Sequence, residues 1–313
     1  MKFSNNLKNR FIRDFGLPIQ LVKEPMFTYY VEQLDEHFAV KNKLQLLEEA
    51  VTALGGEDKF FAESHKIKDA IINAIQATDA YKKLADNRLE SYETKNSVEQ
   101  QDIYHMGNVN RTFISVDLKH ANFNVFKLYD ASLVLNHNNY DELIGSLTTL
   151  EYFKSAKYLR QVIFGNLLPK KQQKLQKWVI DKCITVLHTD VGIQMADFLS
   201  ASSDEIVFAV DPKHIDEFAG MVKTKLTENV ETAQFSDWIK VQAFTLKSVG
   251  DKKFFVKENC LDGTVEFKSV PAFYFMQIFK KYFNKPIEPY DMMFNFEGYV
   301  AEFKEKVIFN DYE

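Results

Sequence analysis

The sequence predicts an α+β protein, with a helical N-terminal region followed by an antiparallel sheet. The sheet follows the split βαβ order, β-α-β-β-α-β, with helices on one face. Three observations carry this expectation. Residues 31–92 place apolar side chains at helical spacing, as at Ile67, Ala70, Ile71, Ala74 and Ile75. A β-rich run, Thr112 to Val116, then breaks that texture and ends at Asp117. Finally, "VGIQMADFLSASSDEIVFAV" sets two apolar runs on either side of a Ser-Ser-Asp corner, the pattern of a hairpin.

The elements follow in order. "YYVEQLDEHF" and "KNKLQLLEEAVTAL" read as helices, stopped by Gly55-Gly56, and "KIKDAIINAIQATDAYKKLADNRLESY" as a further one. After the strand at 112–116, Ala121 to Tyr129 returns to helical spacing. Pro169 stands where another helix would begin, with Leu175, Trp178, Val179, Lys182 and Val186 on roughly one side. The hairpin comes next and closes at Asp211-Pro212. "KHIDEFAGMVKTKLTENV" is helical and "DWIKVQAFTLKSV" alternates as a strand does. The expected organisation is a helical region over 1–110, a sheet core over 111–250, and an appendage of β-hairpin and helix over 251–313.

Composition narrows the function classes. With 46% hydrophobic residues and 28 Phe, the chain can fill a packed interior. A formal charge of −5 gives no global attraction to nucleic acid, so a polyanion would need a local basic patch. Cys183 and Cys260 make no disulfide framework and have no metal-ligand spacing. The opening "MKFSNNLKNRFIRDFG" lacks the apolar core of a signal peptide, and no apolar run reaches the ~20 residues of a membrane span. The expectation is a cytoplasmic protein with no membrane partner. There is no phosphate-binding GxxxxGK[ST] loop, no strand-linked GxGxxG and no GxSxG.

The split βαβ order makes the first strand and the central hairpin neighbours. Asp117 would then lie beside the Ser203-Asp204-Glu205 corner. Two carboxylates on adjacent strands can hold Mg²⁺ or Mn²⁺ in a shared oxygen cage, with waters or phosphates completing the octahedron. A pair of such ions can activate one oxygen and stabilise another as it leaves. Asp117 and Asp204 are the candidate side-chain ligands, with the Leu118 carbonyl as a third donor. Asp and Ser also favour solvated turns, so an ordinary hairpin tip is the plain alternative for the corner.

These residues resemble a known group. "SVDLKHANFNVFK" resembles motif A of palm-domain polymerases and reverse transcriptases, and "SSDEIVF" resembles their acidic hairpin, motif C. The corner is also similar to the Ser-Asp-Glu hairpin of tRNA-His guanylyltransferases and, more loosely, to diguanylate cyclases. The resemblance covers roughly residues 111–250. It implies a palm-like nucleotidyltransferase with Asp117, Asp204 and Glu205 as its catalytic acids, two divalent ions, a nucleoside triphosphate and a DNA or RNA substrate. Reverse transcriptases carry two Asp residues in motif C, whereas the second acid here is Glu205. Their bulky sugar gate falls at Asn122, with Phe123 one position later, which implies acceptance of ribonucleotides.

Between the two motifs, palm polymerases keep basic residues for the triphosphate. Lys157 and Arg160, three apart, are the candidates, and a charged helix face is the plain alternative. Lys170, Lys171, Lys174 and Lys177 form a basic stripe suited to a nucleic-acid backbone, or a solvated face. Lys268 is a further candidate phosphate contact. Template-directed polymerisation, end addition and cyclisation share this metal chemistry. A metal-dependent nuclease and a non-catalytic nucleic-acid-binding palm are the rival classes.

Overall fold

The computed structural model describes residues 2–250 and 253–307. They form two compact units, neither of which is one continuous stretch of chain. The first takes residues 2–82, 131–168 and 271–307, and the second takes 83–130 and 169–270. The boundaries expected at 110 and 250 both fall inside the second unit.

The first unit is mainly helical. Its helices include Asn5–Phe15, Met26–Phe38, Val40–Leu54, Glu57–Ala77, Lys157–Gly165 and Phe275–Tyr282. Gly55 ends the Val40–Leu54 helix at φ 81°, with its N–H bonded to the carbonyls of Val51 and Thr52. That left-handed conformation is why glycine stands there. A buried polar knot ties distant segments of this unit together. Asp14, wholly buried, accepts from Arg10 Nε on both oxygens at 2.8 Å and from the Tyr152 hydroxyl at 2.8 Å. Arg10 also donates to Ser64 Oγ at 2.8 Å.

The second unit is built on a six-stranded antiparallel sheet, which makes the protein α+β. Its strands are β1 (Thr112–Leu118), β2 (Phe198–Ala201), β3 (Glu205–Val210), β4 (Ile239–Ser248), β5 (Phe255–Asn259) and β6 (Val265–Lys268). They lie in the order β2-β3-β1-β4-β5-β6. The expected hairpin is therefore present and pairs with β1. The second hairpin, expected to open a C-terminal appendage, instead continues the same sheet beyond β4, satisfying a strand edge that would otherwise be exposed.

Helices Pro169–Val186 and Ile215–Glu228 pack against β3 and β4 respectively. The first begins at its proline, which costs nothing where the N–H has no helical partner. β1 reads "TFISVDL" without alternation because both of its sides are covered. Ile114, Val116, Ile206 and Phe208 are wholly buried on one side, and Phe113 is buried with Val207, Phe244, Leu246 and Phe255 on the other. The latter cluster is closed by Ile103, Tyr104, Met106 and Val109.

Phe208 is wholly buried on β3, opposite Ile114 of β1 and Phe198 of β2. Phe208→Ala is expected to cost about 3–5 kcal/mol through lost burial and a cavity. Urea unfolding followed by Trp fluorescence checks this, and a loss below about 1 kcal/mol would mean the core does not anchor the hairpin.

Candidate functional site

Strand register sets the site. Asp117 lies opposite Glu205 on β3 and opposite Lys240 on β4. Directly opposed residues of an antiparallel ladder share a face, so Glu205, Asp117 and Lys240 form one row across three strands. The next row is Val207, Ser115 and Gln242, and the one beyond it is Ala209, Phe113 and Phe244. Polar chemistry thus sits at one end of this face and apolar packing at the other.

The acidic corner is fastened to the end of β1. The Leu118 N–H donates to the Asp204 carbonyl at 2.9 Å, and the Ser202 N–H donates to the Glu205 carbonyl at 2.8 Å. Ser202 Oγ accepts from the N–H groups of Asp204 and Glu205 at 3.3 and 3.0 Å, and donates to Asp204 Oδ1 at 3.0 Å. The serine therefore holds the turn and orients the aspartate together. A side chain that bonds backbone two and three residues on is what such a turn selects.

Placing these acids together perturbs Asp117. Burial, then the charge of Glu205, then that of Asp204 pushes the Asp117 carboxyl up to about 6, while Lys240 and Lys257 pull it back. Of the corner's two acids, Glu205 acts on Asp117 more strongly. Tyr104 is raised by burial and by the neighbouring charges of Glu205 and Glu266, so its phenol stays a hydrogen-bond donor. Ser115, wholly buried one row below Asp117, has a hydroxyl with no hydrogen-bond partner among the described residues. Leaving such a group unpaired costs about 1–3 kcal/mol.

Two lysines answer the acids, and neither stood out in the sequence. Lys240 is exposed at the start of β4. Lys257, only 8% exposed, places Nζ 3.2 Å from Glu205 Oε1 and 4.5 Å from the Phe244 ring centroid. This contact requires a strongly coiled sheet. Lys257 pairs with Leu246, six positions along β4 from Lys240, and lies three strands from Glu205. At about 4.8 Å per strand and about 3.3 Å per residue, a flat sheet would hold the two Cα atoms about 25 Å apart. That exceeds the joint reach of a lysine and a glutamate, so β5 must curl over the acid row. Strand alternation could have found Lys240, which shares the polar side of its strand with Gln242. No local signal could have found Lys257.

Among the described residues, no three His, Cys, Asp or Glu side chains gather into a metal cage. The donor set expected from the sequence is smaller: the carboxylates of Asp117 and Asp204 with the Leu118 carbonyl. Its chemistry fits a hard cation, because an acid held among like charges gains from any positive partner. Glu205 already has one in Lys257.

The other expected residues are placed as follows. Asn122 Oδ1 accepts from Gln176 Nε2, and Phe123 is 1% exposed in the core rather than on an open surface, because it falls on the inward side of helix Ala121–Tyr129. Lys268 lies on β6 with Nζ 3.1 Å from Glu266 Oε2. Lys171 and Lys174 donate to the carbonyls of Asn87 and Arg88, the latter at 3.1 Å, and so tie a loop to their helix. Lys170 and Lys177 are exposed. Lys177 lines a cavity of about 190 Å³ that includes Ser202 of the corner. Lys157 and Arg160 belong to the first unit, where the Arg160 guanidinium lies 5.3 Å from the Tyr140 ring centroid.

A raised Asp117 binds its proton more tightly folded than unfolded. Stability contributed at this position is therefore present below about pH 4 and lost as pH rises towards about 6, near the folded value. Asp117→Asn is expected to stabilise the protein in EDTA at pH 8 by the order of 1 kcal/mol, allowing for solvent at a half-open carboxylate. The gain should vanish at pH 4. Melting curves at both pH values check it, and equal shifts at the two would exclude charge as the cause.

Against known proteins, the chain matches no protein-family model, no curated protein and no solved structure.

Proposed function

We propose that the chain is a palm-type nucleotidyltransferase that joins a nucleoside triphosphate to the end of a DNA or RNA substrate. One observation carries the reading: an aspartate near the end of β1 lies directly beside a Ser-Asp-Glu corner that is bonded to that same strand. The order β2-β3-β1-β4, with a helix before β2 and another between β3 and β4, supports the palm comparison.

In this reading Asp117, Asp204 and the Leu118 carbonyl would hold two Mg²⁺ or Mn²⁺ ions. The ions would supply charge stabilisation at the attacking and leaving oxygens. The acceptor hydroxyl oxygen forms a bond to the α-phosphorus as its proton passes to solvent, the bond to the β-phosphate bridge breaks, and pyrophosphate departs. Glu205 acts as a supporting acid, paired with Lys257 in the unliganded protein. Lys157 and Arg160 are not needed for this assignment.

A second reading has its own support. A lysine paired with one of the acids suits a protein that binds phosphates or nucleic acid without catalysis. A metal-dependent nuclease is the third outcome of the same assay. The experiment is incubation with labelled NTPs or dNTPs, Mg²⁺ or Mn²⁺, and primed DNA, RNA or tRNA. Triphosphate-dependent product supports transfer, shortening of the substrate supports a nuclease, and binding alone supports the non-catalytic reading.

Asp117→Asn and Asp204→Asn are each expected to abolish transfer while circular dichroism stays unchanged. Glu205→Gln should cost less, about 10–100-fold, as losses next to metal ligands do. Substantial transfer by either Asn variant would sink the assignment.

A further inference from the structure

The β5–β6 hairpin lies outside the four-strand unit that the proposed function invokes, yet it delivers a nearly buried lysine to the acid row. We propose that Lys257, with Lys240, forms the site for the phosphate tail of the nucleoside triphosphate. This assignment rests on the nucleotidyltransferase reading and names the substrate contact within it. The site is a cavity of about 210 Å³ on the acid-bearing face, lined by Lys240, Gln242, Lys257, Asn259, Thr264 and Glu266.

The lining selects phosphate rather than a nucleobase. Two ammonium groups and two side-chain amides offer donors suited to anionic oxygens, while the Thr264 hydroxyl already donates to Asp262. The one aromatic residue of the cavity, Phe244, is 2% exposed, and the Lys257 ammonium lies over its ring, which leaves no face for stacking. The carboxylate of Glu266 has its own cation in Lys268.

Burial explains why Lys257 suits the role. A lysine this enclosed needs an anion beside it, and Glu205 provides one in the unliganded protein. A phosphate oxygen offers the same compensation. The strand register also sets Lys240 directly beside Asp117, so the phosphates would lie next to the acids that act on them.

The test uses tripolyphosphate, which carries no nucleoside and so reports phosphate binding without transfer. Calorimetry with Mg²⁺ should show binding to the wild type. Lys257→Met and Lys240→Ala should each weaken it about tenfold or more, the loss of one charge-assisted contact. Lys257→Arg should retain it. In EDTA, Glu205→Gln should bind tripolyphosphate more tightly than wild type, since Lys257 is released and a negative charge is gone. Adding Lys257→Met to that variant should erase the gain. The double variant removes both partners, so it leaves no uncompensated buried charge and folds even where Lys257→Met alone does not.

Unchanged tripolyphosphate affinity in Lys240→Ala, and in the double variant relative to Glu205→Gln, would overturn the proposal. The two readings fail separately. Transfer with an unaltered KM for the triphosphate in Lys257→Met and Lys240→Ala would remove the phosphate site and keep the transferase. Lysine-dependent tripolyphosphate binding without transfer by the wild type would keep the site and remove the transferase.

Discussion

The antiparallel ladder between β1 and β3 is the constraint on which the site depends. It puts Asp117 directly opposite Glu205 and lets the Leu118 N–H reach the Asp204 carbonyl. A one-residue slip would turn Asp117 to the other face and bring Leu118 out of its buried position. The wholly buried side chains of Ile114, Val116, Ile206 and Phe208 forbid that slip. Hydrophobic packing on one face therefore fixes the electrostatics of the other.

The acids on that face are not left to repel one another. Lys240 stands beside Asp117 in the same row, Lys257 reaches Glu205 from β5, and Lys268 answers Glu266. Carboxylates and ammonium groups interleave across five of the six strands. Burial nevertheless keeps Asp117 above the ordinary carboxylate range, so the balance is incomplete at the strand end. An incompletely compensated acid beside a turn built by Ser202 is a position that gains from a cation. The Ser115 hydroxyl beneath it, unpaired among the described residues, adds to the local cost.

The charged helices divide by what the chain does with them. Lys171 and Lys174 hold the loop at Asn87 and Arg88, which is structural work that a basic stripe in sequence does not announce. Lys157 and Arg160 lie between the two acidic motifs in sequence but belong to the first unit, to which the connection from β1 to β2 contributes residues 131–168. Chain order is a poor guide to unit membership when a crossover that long forms structure of its own.

What the sequence determined by itself was local. Apolar periodicity gave the helices of residues 31–92, alternation and the Ser-Ser-Asp corner gave the hairpin, and Pro169 gave a helix start. The pairing of the first strand with that hairpin followed because few topologies suit such an order of elements. The placement of Asp117 beside the Ser203-Asp204-Glu205 corner was legible for the same reason, since the pattern marks the end of one strand and the turn before another. Tertiary structure alone decided the rest. It buried Phe123, bonded Asn122 to Gln176, and divided the chain into units that do not follow its order. It also brought Lys257 to Glu205 from three strands away, because the coiling of a sheet accumulates over many residues and leaves no mark at any one of them.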